Sequence, residues 1–383
     1  MLSAPPKIIR IEGFELSAQL SETVGNSRQM FDRRGALLLR VTSDASAVGW
    51  GETWAYPGAA AALVREHFAP VLIGRDATTP RAGWQAMAAR LGYDRRGIST
   101  MALGGLDVAL WDLAGQIAGQ PVHALLGGKL RDRIPAYVSG PFMKPGGDPY
   151  RDFEADIAGY LETGFKAIKL RMGSDPARDG ATALKVRAQI GDAMPLMVDL
   201  NEGFTVEGAI AIARRLAEVD PVWLEEPIAH DDLPGYRRFA AASPMPLAGG
   251  EALFGLRAFR DYLTAGVFDF IQPDLGLCGG LSEGMRISAL CEAFEVALVP
   301  HVWGSVVNFQ ASLHFAACLP ERRGRLRWPL FEYDPSENPL RTAFASHPLD
   351  ADGAVAVPDA PGLGLDLTPE RLAPFITNHW TVE

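Results

Sequence analysis

Three acidic residues recur at equal spacing in this chain, each at the end of an apolar run. They are Asp199 in Met197-Val198-Asp199-Leu200-Asn201, Glu225 in Val222-Trp223-Leu224-Glu225-Glu226-Pro227, and Glu251 in Pro246-Leu247-Ala248-Gly249-Gly250-Glu251. Both intervals are 26 residues. A single acid after a strand is commonly a helix N-cap or a surface charge. Three at one period, all at strand ends, are harder to explain as independent caps. Brought together they repel one another unless a cation lies between them. Ligation by oxygen alone points to Mg²⁺, one per site, rather than zinc.

Other reactive side chains flank this series. Lys169-Leu170-Arg171 places two cations on one face of a strand, because side chains alternate with period two. On a barrel strand that face is buried, so both charges would meet the acids, and Arg171 offers a fixed fork for a carboxylate. His301 follows Val299-Pro300, and Asp274 ends the preceding apolar run. Neighbouring strand ends can set a carboxylate against an imidazole nitrogen, which orients the ring and raises its pKa for work as base and then acid. Glu332 could present a carboxyl group to the other side of an enediolate.

The elements that must position these residues follow a regular order. Residues 8–20, 36–41 and 47–54 read as strands, with turn signals at Asp32-Arg33-Arg34-Gly35 and Ser43-Asp44. Helical spacing follows at 59–72 and 99–116, the latter through Met101, Leu103, Leu106, Leu110 and Leu113. From about Ile134 strands and helices alternate. Candidate strands are 134–138, 167–171, 196–199, 222–225, 247–250, 268–272, 297–300 and 330–332. From Arg171 the polar strand ends Asp199, Glu225, Glu251, Asp274, His301 and Glu332 are separated by 28, 26, 26, 23, 27 and 31 residues. One strand and one helix per step is the period of an α/β barrel. A doubly wound sheet usually opens on a glycine-rich phosphate loop, and none follows a strand here. The expected division is an α+β unit over 1–128, a barrel over 129–350 and a C-terminal segment over 351–383.

Bulk properties narrow the function. Of 383 residues 48% are apolar and 21% charged, with a formal net charge of −10. That suits a large-cored globular chain and excludes a basic nucleic-acid binder. The densest basic run, Arg322-Arg323-Gly324-Arg325-Leu326-Arg327, reads as a solvated loop. Cys278, Cys291 and Cys318 form neither a disulfide framework nor a zinc spacing, which fits a reducing cytoplasm. Neither a signal peptide nor a membrane span is expected.

In these motifs the chain resembles the enolase superfamily, and within it the mandelate racemase subgroup of the mandelate racemase/muconate lactonizing enzyme family. The resemblance runs from Val48-Gly49-Trp50-Gly51-Glu52 through Gly105-Leu106-Asp107-Val108-Ala109-Leu110-Trp111-Asp112 to Pro361-Gly362-Leu363-Gly364. It implies a modified (β/α)7β TIM-like barrel, an N-terminal α+β capping domain that packs with the C-terminal segment, and an essential Mg²⁺. Carried over by motif, Asp199, Glu225 and Glu251 are the metal ligands, and Asn201 lies beside the metal on the substrate side. His301 and Asp274 match the subgroup's His–Asp pair, and Glu332 its electrophilic acid. Further shared stretches, Phe31-Asp32-Arg33-Arg34, Val299 to Gly304 and Glu332-Tyr333-Asp334, are similar to sugar-acid cycloisomerases and dehydratases. Met30, Trp54 and Tyr56 of the capping domain and Trp303 are then the substrate-contact candidates.

The implied reaction is removal of the proton α to the carboxylate of a sugar acid or lactone, followed by β-elimination. A racemase or epimerase, and a non-catalytic binder of Mg²⁺ and a sugar acid, are the alternatives. The partner is a small carboxylate, with no nucleic acid or membrane, in a homo-oligomer. One departure stands out. Where the family commonly has Lys-x-Lys, this chain has Lys169-x-Arg171, and a guanidinium is a poor resting base.

Overall fold

A computed structural model describes residues 4–93 and 95–383. Strands β1 (Ile8–Gly25), β2 (Met30–Ser43) and β3 (Val48–Thr53) form an antiparallel sheet. Along β2, Leu37, Leu39 and Val41 pack with the long helix Ile98–Ala118, while Ala36 and Leu38 join Phe14 and Trp50 in the core shared with the barrel. Both faces of the sheet are thus buried.

Strand β3 uses its period of two in the same way. A Cβ on Gly51 would lie 1.9 Å from the carbonyl oxygen of Gly105, so only glycine lets the strand approach the helix this closely. The alternate positions, Trp50 and Glu52, therefore face the barrel.

The second sheet is parallel. Its strands are β4 (Arg133–Ser139), β5 (Ile168–Arg171), β6 (Leu196–Asp199), β7 (Leu224–Glu225), β8 (Leu247–Gly249), β9 (Phe270–Ile271) and β10 (Ala297–Leu298). After the β11 (Arg322–Arg323) and β12 (Arg327–Trp328) ribbon, β13 (Phe331–Tyr333) inserts beside β4. The ladder runs β13-β4-β5-β6-β7-β8-β9-β10. Its two ends meet where the Val302 N–H donates to Glu332 Oε2 at 3.0 Å. Helices including Phe153–Thr163, Pro176–Ile190, Val206–Leu216, Leu233–Ala242, Gly255–Ala265, Gly280–Ala293 and Val306–Cys318 cover the outside. Tyr137, Met197, Trp223, Val299, Trp328 and Leu330 pack together inside as a filled core.

Several local expectations are corrected. Asp32-Arg33-Arg34-Gly35 is not a turn but part of β2, paired with Ser17, Ala18 and Gln19 of β1. The reversal comes earlier, at Asn26, whose Oδ1 accepts from the N–H groups of Arg28 and Gln29. The helix expected over 59–72 is interrupted by a π turn at Val64–Phe68. The basic run expected as a loop is the β11–β12 ribbon, anchored because Trp328 is buried under the barrel. In the tail, β14 (Ala354–Ala356) pairs with β4, and the last strand, β15 (Ile376–Val382), pairs with β1. No helix among the described residues is long and apolar enough to cross a membrane.

Candidate active site

Short strands of one register bring the acidic series to one end of the barrel. Asp199 and Glu225 are the last residues of β6 and β7 and are paired in register. Glu251 follows β8 through Gly250, whose φ of +121° turns the chain where an L side chain is disfavoured. One carboxylate oxygen from each of the three lies within 4.8 Å of the others.

Burial and mutual repulsion raise two of these acids. Glu225 is pushed up to about 7 by burial, opposed by Lys169 and reinforced by Asp199, Glu332 and Glu251. Glu251 is raised by burial, in part offset by His301. Trp223 Nε1 and Gln272 Nε2 each donate to Glu225 Oε2 at 2.9 Å. Asn201 donates its backbone N–H to Asp199 Oδ1 at 2.9 Å and its side-chain amide to Oδ2 at 3.1 Å. These bonds fix both carboxylates while leaving oxygens directed at the common centre. Three converging carboxylates with an oxygen-only donor set, each raising the cost of ionising the next, fit a hard divalent cation.

Both cations of β5 reach this centre. Lys169 is fully buried, with Nζ 2.7 Å from Glu225 Oε1, 2.8 Å from Glu332 Oε1 and 3.5 Å from Asp199 Oδ2. Burial would lower its pKa, but Glu225 and Glu332 outweigh that and hold it well above the usual lysine range. Arg171 lies 3.3 Å from Asp199 Oδ2 and 3.7 Å from Glu332 Oε1, and donates to Ser139 Oγ at 2.8 Å. It too is raised despite burial, by Asp199 and Glu332, so its guanidinium stays charged.

His301 and Asp274 sit on the far side. Their parallel backbone bridge aligns the two chains, and His301 Nδ1 lies 2.7 Å from Asp274 Oδ2. The other ring nitrogen, Nε2, points to the acidic centre, 3.2 Å from Glu251 Oε2. Burial pulls the imidazole down, but Glu251, Glu332 and the Asp274 bond raise it to about 10. Glu332 goes the other way. Burial favours its neutral form, yet Lys169, His301 and Arg171 hold it well below the usual carboxylate range. As it stands this carboxylate is an acceptor, where the family resemblance expects a hydrogen-bond donor.

The antiparallel sheet closes the site from above. Trp54 Nε1 donates to Asp274 Oδ2 at 3.1 Å, and its ring lies 6.3 Å from that of Trp303. Met30 is 41% exposed, beside a hairpin tip where Arg28 pairs with Glu202 at 2.5 Å. Tyr56 is 66% exposed at the start of helix Pro57–Leu63. Met30 and Tyr56 are thus exposed, whereas Asn201 is buried and Trp54 and Trp303 are half-buried against one another beside Asp274.

The site also contains residues that sequence reasoning missed. Trp223 and Gln272 stand two residues before Glu225 and Asp274, and strand alternation could have found them. Ser139, Asn308 and Glu52 carried no such signal. Asn308 Nδ2 donates to Asp274 Oδ1 at 3.2 Å. Glu52, fully buried, accepts from the backbone N–H groups of Ser305 and Asn308 and from Ser305 Oγ.

Residues 152–371 match the enolase C-terminal domain-like family, and residues 20–127 match the N-terminal domain of the mandelate racemase/muconate lactonizing enzymes. The chain belongs to the mandelate racemase/muconate lactonizing enzyme family. It is 36% identical over 374 residues to a D-galactarolactone cycloisomerase of Agrobacterium fabrum, covering 96% of this chain and 98% of that protein. A solved member of the enolase superfamily from a Polaromonas species superposes with a TM-score of 0.90 at 34% identity, covering 97% and 98% of the two chains. The L-talarate dehydratase from the same source, solved with Mg and L-glucarate, superposes with a TM-score of 0.83 at 28% identity over 98% and 99%. In this chain an acid stands at each of the three strand ends, a histidine lies against an aspartate, and the second position of the β5 cation pair is arginine.

Proposed function

We propose that this chain is a Mg²⁺-dependent lyase or isomerase that removes the proton α to the carboxylate of a sugar acid or its lactone and then eliminates a β-substituent. The observation that carries the reading is His301, locked at Nδ1 by Asp274 and presenting Nε2 beside the acidic centre. The solved dehydratase with its metal and sugar acid, and the relative acting on a sugar lactone, support the substrate class.

Asp199, Glu225 and Glu251 would hold the metal. When bound, Mg²⁺ supplies Lewis acidity to the substrate carboxylate. Lys169 and Arg171 add fixed positive charge on the same side and stabilise the negative charge that develops as the α C–H bond breaks. His301 Nε2 receives that proton, and the bonding pair moves into the substrate carboxylate to give an enediolate. Glu251, one of the residues that would hold the metal, is also the carboxylate that most raises His301, so a cation held there would ease the imidazole toward the range where it accepts a proton. The pair then returns to form the Cα=Cβ bond as the Cβ–O bond breaks and the oxygen takes that bonding pair. His301 hands the proton to that oxygen. A departing hydroxyl leaves as water and the enol becomes a 2-keto-3-deoxy acid; a departing lactone ring oxygen gives ring opening or cycloisomerisation.

Arg171 argues against two-base racemisation, because a guanidinium held charged by Asp199 and Glu332 is a poor base. The division at 128 and 350, a homo-oligomeric assembly and a cytoplasmic location with all three thiols free belong to the same reading. The test is turnover of a panel of aldonic and aldaric acids and their lactones, following substrate loss and 2-keto acid separately. His301→Asn should abolish turnover while Mg²⁺ still binds. Normal turnover in that variant overturns the assignment.

A further inference from the structure

The end of β3 reaches over the His301–Asp274 pair. Three consecutive residues there each bond to the barrel. Glu52 accepts from the N–H groups of Ser305 and Asn308. Thr53 Oγ1 donates to the Gly276 carbonyl oxygen at 2.9 Å. Trp54 Nε1 donates to Asp274 Oδ2 at 3.1 Å. The first of these contacts falls on the segment that follows β10 and carries His301. The other two fall on the segment that follows β9 and carries Asp274. The indole is half-buried, and its ring lies 6.4 Å from that of His301.

The fully buried Asp274 carboxylate accepts at both oxygens. Oδ1 takes the Gly276 N–H at 2.7 Å and Asn308 Nδ2 at 3.2 Å. Oδ2 takes the Trp54 indole N–H and lies 2.7 Å from His301 Nδ1. Trp54 therefore shares with His301 the oxygen that orients the ring. Two glycines prepare its place. A Cβ on Gly276 would stand 3.2 Å from indole Cδ1 and 3.4 Å from Nε1, and one on Gly304 would stand 3.1 Å from Cδ1. The missing side chains on both segments admit the N–H edge of the indole, which a residue present for bulk alone does not require.

We propose that Trp54 is a positioning residue, through which the first domain fixes the carboxylate of Asp274 and so the ring of His301. The inference rests on the reaction assigned above, in which His301 Nε2 takes the α-proton. Nε2 is aimed by the bond at Nδ1, and that bond is aimed by the plane of the carboxylate. Loss of the indole donor leaves Oδ2 held by His301 alone and lets the carboxylate turn. A small error in the place of a proton acceptor lowers the rate steeply without weakening substrate binding. Trp54 then acts on kcat through Asp274, whereas a wall of the substrate site acts on KM.

Two substitutions separate the N–H group from the bulk of the ring. Trp54→Phe keeps a six-membered aromatic ring and removes the donor. Trp54→His keeps a five-membered ring whose Nε2 takes the place of the indole Nε1, and at about pH 8 it is neutral. The proteins are compared loaded with Mg²⁺ at that pH. On an acid or lactone that the wild type turns over, Trp54→Phe should lose about tenfold or more in kcat with KM within about twofold. Trp54→His should keep kcat within about threefold of the wild type. A Trp54→His kcat no higher than that of Trp54→Phe, or a change confined to KM, overturns the proposal. Proton NMR gives a readout free of turnover. The downfield Nδ1–H signal of His301, identified by its loss in His301→Asn, should persist in Trp54→His and shift or broaden in Trp54→Phe. An unchanged signal in Trp54→Phe overturns the proposal. Should Trp54→Phe fail to fold, Trp54→His decides, and loss of its signal overturns the proposal. Absence of turnover on every acid and lactone sinks the assigned reaction, whereas the His301 signal still reads Trp54.

Discussion

Glu52 reaches out of the antiparallel sheet to Ser305 of the barrel, each of its oxygens 2.6 Å from a donor of that one residue. Ser305 begins the helix Val306–Cys318, and Trp303 and His301 lie just before it. The contact therefore ties the first sheet to the segment that carries the base.

This contact should make stability depend on pH. Burial pushes Glu52 up to about 7 from 4.5, against the pull of its hydrogen bonds to Ser305 and Asn308. A carboxyl raised by folding stabilises the protonated form. Its contribution is complete below about pH 4.5 and is lost as pH rises through about 7, an effect of about 3 kcal/mol. Urea unfolding of the wild type and Glu52→Gln across this window should give curves that diverge by that amount. Parallel curves would show that Glu52 does not titrate in this range.

Gly304 should be intolerant of any side chain. Its φ is +92°, and a Cβ there would lie 2.4 Å from Glu52 Oε1. Gly304→Ala is expected to cost about 2–4 kcal/mol in a thermal or urea melt. A cost below about 1 kcal/mol would mean that the loop relaxes freely.

Asp274→Asn should leave Mg²⁺ binding intact and lower kcat. The amide no longer stabilises the charged imidazole, and the loss should be about a hundredfold to ten-thousandfold. Steady-state kinetics with a parallel metal titration checks both halves. A change confined to KM would remove Asp274 from the proton-transfer step.

Magnesium affinity should rise with pH. The metal-free chain holds Glu225 at about 7, so below that value the cation must displace a proton. Calorimetry is expected to show affinity climbing by up to about tenfold per pH unit below pH 7 and levelling above it. Affinity that is flat from about pH 5.5 to pH 8 would place the metal elsewhere.

Arg171 should confine exchange to one face of the substrate. Its guanidinium is charged and held by Asp199 and Glu332. In D₂O, nuclear magnetic resonance should show the α-proton exchanging in only one of two C2 stereoisomers. Exchange in both would require a second base and would restore the epimerase reading.

The barrel was legible because its repeat is local. Short strands of two to seven residues carry a polar side chain at or just past their ends from β5 onward, and one βα step separates each from the next, so spacing alone groups Asp199, Glu225, Glu251, Asp274 and His301. The misreading at Asp32-Arg33-Arg34-Gly35 shows the limit. The residue types favour a turn, but β1 pairs through the segment, and Arg34 is drawn inward to Asp334, 300 residues away. Glu332 shows another limit, since its charge state depends on Lys169, Arg171 and His301 arriving together.

The amino-acid sequence by itself determined the fold class, the family and the order of reactive groups along the barrel, because periodic burial and strand-end spacing are properties of neighbouring residues. Only the tertiary structure decided which barrel residues the first domain's side chains meet. Glu52 on Ser305, Trp54 on Asp274 and Arg34 on Asp334 each join positions more than 200 residues apart with no repeat relating them. Such pairs are selected by packing and by the need to satisfy buried charge, and those conditions exist only once the chain is folded.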